Sequence, residues 1–249
     1  DVQKLRHFAI QCLLTSGYYD DPSDAKRTLA NMEQALLYYI DRWNLERYPV
    51  YVSEDGSFVG IELEFDLVLE WEEPSETTGA LGKHRVRFIG RTDGLHTDNG
   101  VPILQENKTG WRLDDAWRGS FDMSHQVTGY LVAASVLAGL SHFIERAIVI
   151  GVTLPLPRDI MKGLDYVHVS RPTHMFVRWA NWFVNTHRMR LRTFNDPRRA
   201  DKYTHSCNRF FRVCEFLPFC VSDDEEQTAI LEEMEHDQWS PLTPSEQAS

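Results

Sequence analysis

An Asn-Gly pair between two alternating apolar segments is the feature that most constrains the fold of this chain. Asn99 and Gly100 tolerate the positive φ that a two-residue type I′ turn requires, so the flanking segments are predicted to form a β-hairpin. Such a turn makes residue 98 face residue 101, and Asp93 then comes directly opposite Glu106. Opposed Cβ atoms in an antiparallel pair lie about 4.5–5.5 Å apart, where two carboxylates repel each other. The hairpin therefore places two acids where a compensating charge is needed.

The two-residue period of a strand decides which side chains beyond the turn share a face. Glu106 and Lys108 project to one face, while Gln105 and Asn107 project to the other. Asp93, Glu106 and Lys108 are therefore predicted to converge on one small patch.

A divalent cation would relieve the repulsion between Asp93 and Glu106. Mg²⁺ prefers oxygen ligands and typically takes one or two carboxylates together with waters and phosphate oxygens. Lys108 can orient an attacking water or stabilise charge on phosphoryl oxygens. The alternative is a solvated face on which the two acids pair with Arg91 and Lys108. The short D…E-x-K spacing by itself does not decide between these interpretations.

Hydrophobic periodicity elsewhere predicts an α/β fold. Helices are expected over residues 1–17, 23–46, 122–140 and 172–191, the second capped by Ser23 or Asp24. Strands are expected over residues 58–71, 84–96, 101–109, 146–156 and 165–171. This order predicts a central mixed β-sheet flanked by helices.

The composition suggests one domain followed by a tail. We expect a domain over residues 1–221 and an acidic, flexible tail over residues 222–249, which holds nine acids and no Lys or Arg. No segment approaches the roughly 18 apolar residues of a membrane helix, and the start has no signal pattern. We therefore expect a soluble, intracellular protein without a membrane partner. Because the sequence lacks an initiator Met and opens inside a predicted helix, we expect a fragment or a processed chain.

Charge distribution bears on whether the partner is a polyanion. The net charge of −11 argues against one, because phosphate binding depends on Lys and Arg. One segment differs, since "HRMRLRTFNDPRRADKY" carries six cations that can track a phosphate backbone: Arg188, Arg190, Arg192, Arg198, Arg199 and Lys202. A solvated helix face followed by an acidic tail is the alternative.

Three of the four cysteines cluster in "CNRFFRVCEFLPFC", namely Cys207, Cys214 and Cys220. Three thiols in one short segment can hold an iron–sulfur cluster or zinc, which usually require four ligands. Cys12 can supply the fourth ligand of a cluster, and His205 can complete a Cys₃His zinc site. Unligated buried cysteines or a disulfide are the alternative, although an intracellular chain disfavours disulfides.

Three segments in order, "GRTDGL", "ILQENKTG" and "HQVTGYLVAA", resemble the PD-(D/E)XK nuclease superfamily. The resemblance covers residues 90–130 and points to the RecB-like branch, which includes CRISPR adaptation nucleases, AddB-type repair nucleases and phage exonucleases. It implies a restriction-endonuclease-like core. It also implies that Asp93 and Glu106 are metal ligands and that Lys108 positions or activates the nucleophilic water.

The same resemblance implies further site residues. Gln126 and Tyr130 lie one helical turn apart and can both reach a DNA strand or the active site, with core packing as the alternative for Tyr130. His7 in "HFAIQ" takes the place of a further metal ligand, although Gln11 stands where an acid is usual. Glu64 can support the site from the preceding strand.

Several RecB-like nucleases hold a 4Fe–4S cluster with one upstream cysteine and three after the nuclease core. The resemblance therefore implies that Cys207, Cys214 and Cys220 bind such a cluster and staple the ends of the domain, with zinc as the alternative. The upstream cysteine of the family precedes the motif histidine, whereas Cys12 follows His7. The fourth ligand is therefore Cys12 or a residue upstream of this sequence.

Together, these expectations describe a Mg²⁺- or Mn²⁺-dependent deoxyribonuclease in the cytoplasm of a bacterium or of a phage-infected host. The resemblance favours an exonuclease on DNA ends in phage recombination, repair or CRISPR adaptation. Two rivals remain, a non-catalytic DNA-binding or scaffolding module of the same fold and a site-specific endonuclease. The intact set of Asp93, Glu106 and Lys108 favours an enzyme.

Overall fold

The computed structural model describes residues 2–17, 24, 26–42, 48–74, 79–110, 112–154, 157–194 and 216–233. Contacts divide the chain into two compact units, the first of which runs to Phe176 and the second of which begins at Val177. The β-sheet and the predicted acids belong to the first unit.

The first unit is built on one five-stranded sheet in the order β1-β2-β3-β4-β5. Only β3 and β4 run parallel, so a helix is needed to cross between them. This mixed sheet with flanking helices confirms the predicted α/β class. The elements are α1 (Val2–Thr15), α2 (Leu29–Arg42), β1 (Ile61–Pro74), β2 (Leu81–Asp98), β3 (Val101–Thr109), α3 (Asp115–Gly119), α4 (His125–Leu137), β4 (Arg146–Val152), a 3-10 helix (Pro157–Lys162) and β5 (Leu164–Ser170).

The predicted hairpin joins β2 to β3 in the predicted register. Asn99 and Gly100 have φ values of 53° and 79°, as the two-residue turn requires. Asp98 pairs with Val101, and the ladder continues to Gly94 and Gln105. The ladder ends one residue pair before Asp93 and Glu106. Beyond its end, the Asp93 side chain, rather than a backbone carbonyl, accepts a hydrogen bond from the backbone of β3.

The two faces of the sheet are covered differently. Helix α4 crosses from β3 to β4 and contacts the first four strands, with most of its residues buried. On β3 and β4, Ile103, Ile148 and Ile150 pack with Tyr48, while Tyr39 of α2 packs against the same cluster. The middle of β3 is therefore buried from both faces, and Gln105 and Glu106 are polar residues within that buried part.

The beginning of α2 and the presence of α3 differ from the sequence-based expectations. Helix α2 begins at Leu29 because Thr28 Oγ1 accepts the N–H of Asn31 at 3.2 Å, whereas Asp24 accepts the N–H of Lys26 in a separate turn. Ser23 lies outside the described residues. Helix α3 was not predicted, and it is capped by Asp114, which accepts the N–H of Trp117 at 3.0 Å.

The second unit contains most of α5 (Thr173–Phe194), together with α6 (Leu217–Val221) and α7 (Asp224–Glu233). Helix α7 lies in the segment predicted to be a tail. Asp223 Oδ1 accepts the N–H groups of Glu225 and Glu226 at 3.1 and 3.0 Å, and acids are favourable in a first helical turn. The acidic run thus begins a helix, and residues 234–249 lie outside the described part.

No helix in the described residues is long and apolar enough to cross a membrane.

We predict that Gly151→Ala destabilises the first unit, because Trp117 of α3 occupies the space of a side chain there. A Cβ at Gly151 would lie 2.4 Å from Trp117 Cη2 and 2.7 Å from Leu113 Cδ2. Overpacking of this kind costs about 1–3 kcal/mol, measurable as a lower midpoint in urea unfolding. Gly119→Ala is the matched control, since its Cβ meets nothing within 4 Å. Equal midpoints for the two variants would contradict this packing.

Candidate functional site

Glu106 is a carboxylate in the interior of the first unit. Its residue surface is only 4% exposed. Oε1 accepts a hydrogen bond from Lys108 Nζ at 2.6 Å, whereas Oε2 is buried without a hydrogen-bond partner among the described residues. Burial raises the pKa of Glu106 above its ordinary value, the ammonium of Lys108 opposes that rise, and the charge of Asp93 adds to it. One of the two carboxylate oxygens of Glu106 therefore lacks a hydrogen-bond partner among the described residues.

Asp93 connects the end of β2 to β3 through its side chain. Its Oδ2 accepts the backbone N–H of Asn107 at 2.6 Å, just beyond the end of the β2–β3 ladder. Its charge raises the pKa of Glu106 and also, after the larger effect of burial, the pKa of Tyr39 on α2. Asp93 thus lies close enough to raise the pKa of groups on both faces of β3, namely Glu106 and Tyr39.

The donors present fit a hard divalent cation. Asp93 and Glu106 supply carboxylate oxygens, one of them buried and unpartnered, and Mg²⁺ typically needs one or two carboxylates from the protein. Within the described ranges, no three His, Cys, Asp or Glu side chains are grouped as metal ligands. His7 lies exposed on α1 and is not brought into such a group, so its role as a ligand stays a prediction.

Gln126 and Tyr130 form a separate pair on α4. Gln126 Nε2 donates to Tyr130 Oη at 2.9 Å, and the Tyr130 ring packs edge-on against Phe65 of β1 with centroids 5.9 Å apart. Tyr130 therefore contributes to packing, while Gln126 is exposed. Glu64 lies exposed on β1 opposite Arg91.

Arg171, which the sequence did not single out, fixes the beginning of α4. It is 2% exposed, and its guanidinium donates to Thr128 Oγ1 at 2.9 Å and to the Phe121 carbonyl at 2.5 Å. Burial lowers the pKa of Arg171. Because Thr128 lies between Gln126 and Tyr130 in the helix, this arginine helps to set where that pair lies.

The predicted cysteine cluster is mostly outside the described residues. Cys207, Cys214 and the alternative ligand His205 all fall there, while Cys220 is half-buried in α6. Cys12 is exposed on α1. The cluster stays a prediction.

The predicted basic segment is described only in part. Arg188 and Arg190 are exposed on α5, and Arg188 donates to Asn185 Oδ1 at 2.9 Å. Arg198, Arg199 and Lys202 lie outside the described residues.

A large cavity beside Asp93 was not predicted from the sequence. It has a volume of about 1280 Å³ and is bounded by α1, α2 and the sheet. Two amides of β3 line it, with Gln105 Nε2 donating to Asn107 Oδ1 at 3.3 Å and Tyr39 Oη donating to the same oxygen at 3.4 Å. The signal in the sequence was the presence of these two amides at alternate positions of β3, on the face opposite Glu106 and Lys108.

Comparisons with known proteins add little to this geometry. No protein-family model matches the chain, and no curated protein matches it. A solved structure described as "Crystal structure of SSO0001" is similar at 20% identity over 47% of each chain, with a TM-score of 0.23. The chain thus spans about half the length of that structure, and so weak a likeness carries no argument about fold or function.

We predict that Glu106→Gln stabilises the metal-free protein at neutral pH. The pKa of Glu106 is raised above 4.5 in the folded protein, so the unfolded chain releases this proton at a lower pH than the folded protein does. The free energy of unfolding therefore falls as the pH rises from 4.5 through the raised pKa. Gln removes the penalty, so the melting temperature of the Glu106→Gln protein should exceed that of the unsubstituted protein at pH values above the raised pKa. Below pH 4.5 the difference should vanish, because both states then carry the proton.

Lys108 does not reverse this expectation, because its side chain is 29% exposed and keeps access to water. Glu64→Gln at an exposed position is the control and should change stability by no more than about 0.5 kcal/mol. Thermal unfolding in EDTA between pH 4 and 8 measures both variants. A Glu106→Gln protein that is less stable at neutral pH would show that the Lys108 ion pair outweighs the burial of the carboxylate.

Proposed function

We propose that this chain is a metal-dependent DNA nuclease of the RecB-like PD-(D/E)XK type. The observation that carries the proposal is Glu106, a buried carboxylate that keeps one oxygen unpartnered while Lys108 holds the other. A buried acceptor without a partner destabilises a fold by about 1–3 kcal/mol, and more when it is charged. Such an arrangement is typical of a site that binds a ligand.

Asp93 and Glu106 would hold Mg²⁺ or Mn²⁺ at this site. When bound, such an ion lowers the pKa of a coordinated water and neutralises charge on a phosphodiester. The two carboxylates come from adjacent strands, and the Asp93 side chain is fixed by the Asn107 N–H. Their protein partners therefore orient them before any substrate arrives.

Lys108 is suited to act on the reacting phosphate. Its ammonium is positioned by the 2.6 Å contact with Glu106 Oε1, yet nearly a third of its side chain remains exposed. A held but accessible cation can donate to a non-bridging phosphate oxygen or orient the attacking water. Gln126, exposed on α4, is placed to contact the DNA strand according to the resemblance.

The substrate and setting rest on the resemblance. The mixed sheet flanked by helices is compatible with the α/β core that the resemblance implies. The proposed activity is an exonuclease on DNA ends in phage recombination, repair or CRISPR adaptation, in a bacterial or infected-host cytoplasm.

We predict that the protein degrades end-labelled linear DNA with Mn²⁺ and that Glu106→Gln abolishes this activity. Lys108→Ala should lower the rate by about 10²–10³-fold, the usual cost of removing one donor to developing charge. Mn²⁺ should raise the melting temperature of Lys108→Ala but not of Glu106→Gln, because a ligand stabilises only the protein that binds it. Glu54→Gln, at an exposed position outside the strands, is the control for general loss of an acid.

The product pattern separates the rivals. Cutting of covalently closed circular DNA at a fixed position would identify a site-specific endonuclease. Metal-independent binding of DNA without any cleavage would overturn the enzymatic proposal and favour a scaffolding module. Full activity of Lys108→Ala would remove the lysine from the mechanism.

The iron–sulfur cluster is a further part of the proposal, carried by the cysteine spacing and the resemblance. Cys214→Ser should abolish visible absorption of anaerobically purified protein and lower its melting temperature. Cys12→Ser distinguishes the fourth ligand, because retained absorption would exclude Cys12. A colourless protein that contains one zinc per chain would favour the Cys₃His alternative with His205.

A further inference from the structure

The cavity beside Asp93 has walls of two kinds. Most of its lining is apolar and comes from α1 and α2, including Phe8, whose residue surface is 66% exposed although it borders the cavity. A ring left this accessible on a cavity wall can pack against a planar ligand. The volume of about 1280 Å³ exceeds the roughly 300–1,000 Å³ of ordinary ligand pockets, so it can admit part of a polymer.

The polar part of the wall is an amide pair on β3. Asn107 Oδ1 already accepts from Tyr39 and Gln105, whereas Gln105 Oε1 has no partner among the described residues although Gln105 is only 7% exposed. Burial and the negative charge of Asp93 raise the pKa of Tyr39, so its hydroxyl stays a donor. The amide pair thus leaves the Gln105 oxygen as an acceptor and the Asn107 Nδ2 group as a donor.

An adjacent acceptor and donor complement a planar edge that offers one donor and one acceptor. The Watson–Crick edge of an unpaired nucleobase has this pattern, and amide side chains commonly read such edges. Two cations, Lys26 and Arg27, border the cavity, and so do two acids, Asp24 and Asp93, so the charges in its wall balance. The lining therefore combines an apolar wall with a base-like hydrogen-bond pattern, which suits an uncharged planar group.

We propose that this cavity holds one unstacked nucleobase of a single-stranded DNA end, with Phe8 against its face and the Gln105–Asn107 amides at its edge. The inference deepens the proposed function and rests on it. Asp93 lines the cavity, and its charge also affects Glu106 on the other face of β3, just beyond the point where the β2–β3 ladder ends. A base held here therefore lies beside the proposed metal ligands. A duplex cannot enter in this way, because its base edges are already paired.

Binding of two oligonucleotides with the same backbone tests this proposal. The probes are fluorescent oligo(dT) and an abasic oligonucleotide of equal length and charge, titrated in EDTA so that the proposed cleavage does not proceed. The unsubstituted protein should bind oligo(dT) roughly tenfold more tightly, the order of magnitude for one stacked base. Phe8→Ala and Asn107→Leu should each bring the ratio of the two affinities close to one.

Leu14→Ala is the matched control, because Leu14 is a 55% exposed apolar residue of the same helix that does not border the cavity. It should keep the tenfold ratio, and circular dichroism should show all variants folded. Equal affinity of the unsubstituted protein for both probes, or an unchanged ratio in both cavity variants, would overturn the base site. If Mn²⁺-dependent cleavage persists in that case, the proposed function stands; absence of DNA binding and cleavage would overturn both proposals.

Discussion

The register of the β2–β3 hairpin is the constraint on which the rest of the site depends. Asn99 and Gly100 adopt positive φ, and the resulting pairing sets Gly94 of β2 opposite Gln105 of β3. On the other side of β3, Glu106 lies opposite Val149 of β4. A shift by one residue would exchange the two faces of β3 and turn Glu106 toward the opposite side of the sheet. The turn therefore decides which acids are buried, which amides border the cavity and where Asp93 meets the backbone of Asn107.

Strand β3 presents different chemistry on its two faces. Glu106 is buried and pairs with the partly exposed Lys108, and its charged form is destabilised because the effect of burial on its pKa exceeds that of the lysine. Gln105 and Asn107 border a cavity between the sheet and the first two helices. Polar groups in such positions cost folding free energy, and natural proteins usually retain them where a ligand provides compensation. The proposed phosphate and base sites lie on the two faces of one strand, next to the point where the β2–β3 ladder ends.

Much of the fold could be predicted because its signals are local. Strand alternation and helical periodicity located the five strands and the main helices, and the Asn-Gly turn set the hairpin register. The beginning of α2 was missed because Thr28, rather than Asp24, provides the capping oxygen. Helix α7 was missed because the acids after Ser222 resemble a solvated tail, although Asp223 caps a helix there. In each case one capping side chain decided between two conformations that the same residues allow.

The sequence by itself determined the convergence of Asp93, Glu106 and Lys108, because a two-residue turn and a two-residue side-chain period leave one arrangement. Only the tertiary structure decided how those groups are surrounded. It buried Glu106, left its second oxygen without a partner in the described residues, and placed His7 on an exposed surface of α1. It also brought Phe8 and Asn107 to the walls of one cavity, although about a hundred residues separate them along the chain. Such burial and proximity depend on how helices pack on a sheet, and no local pattern of residues encodes them.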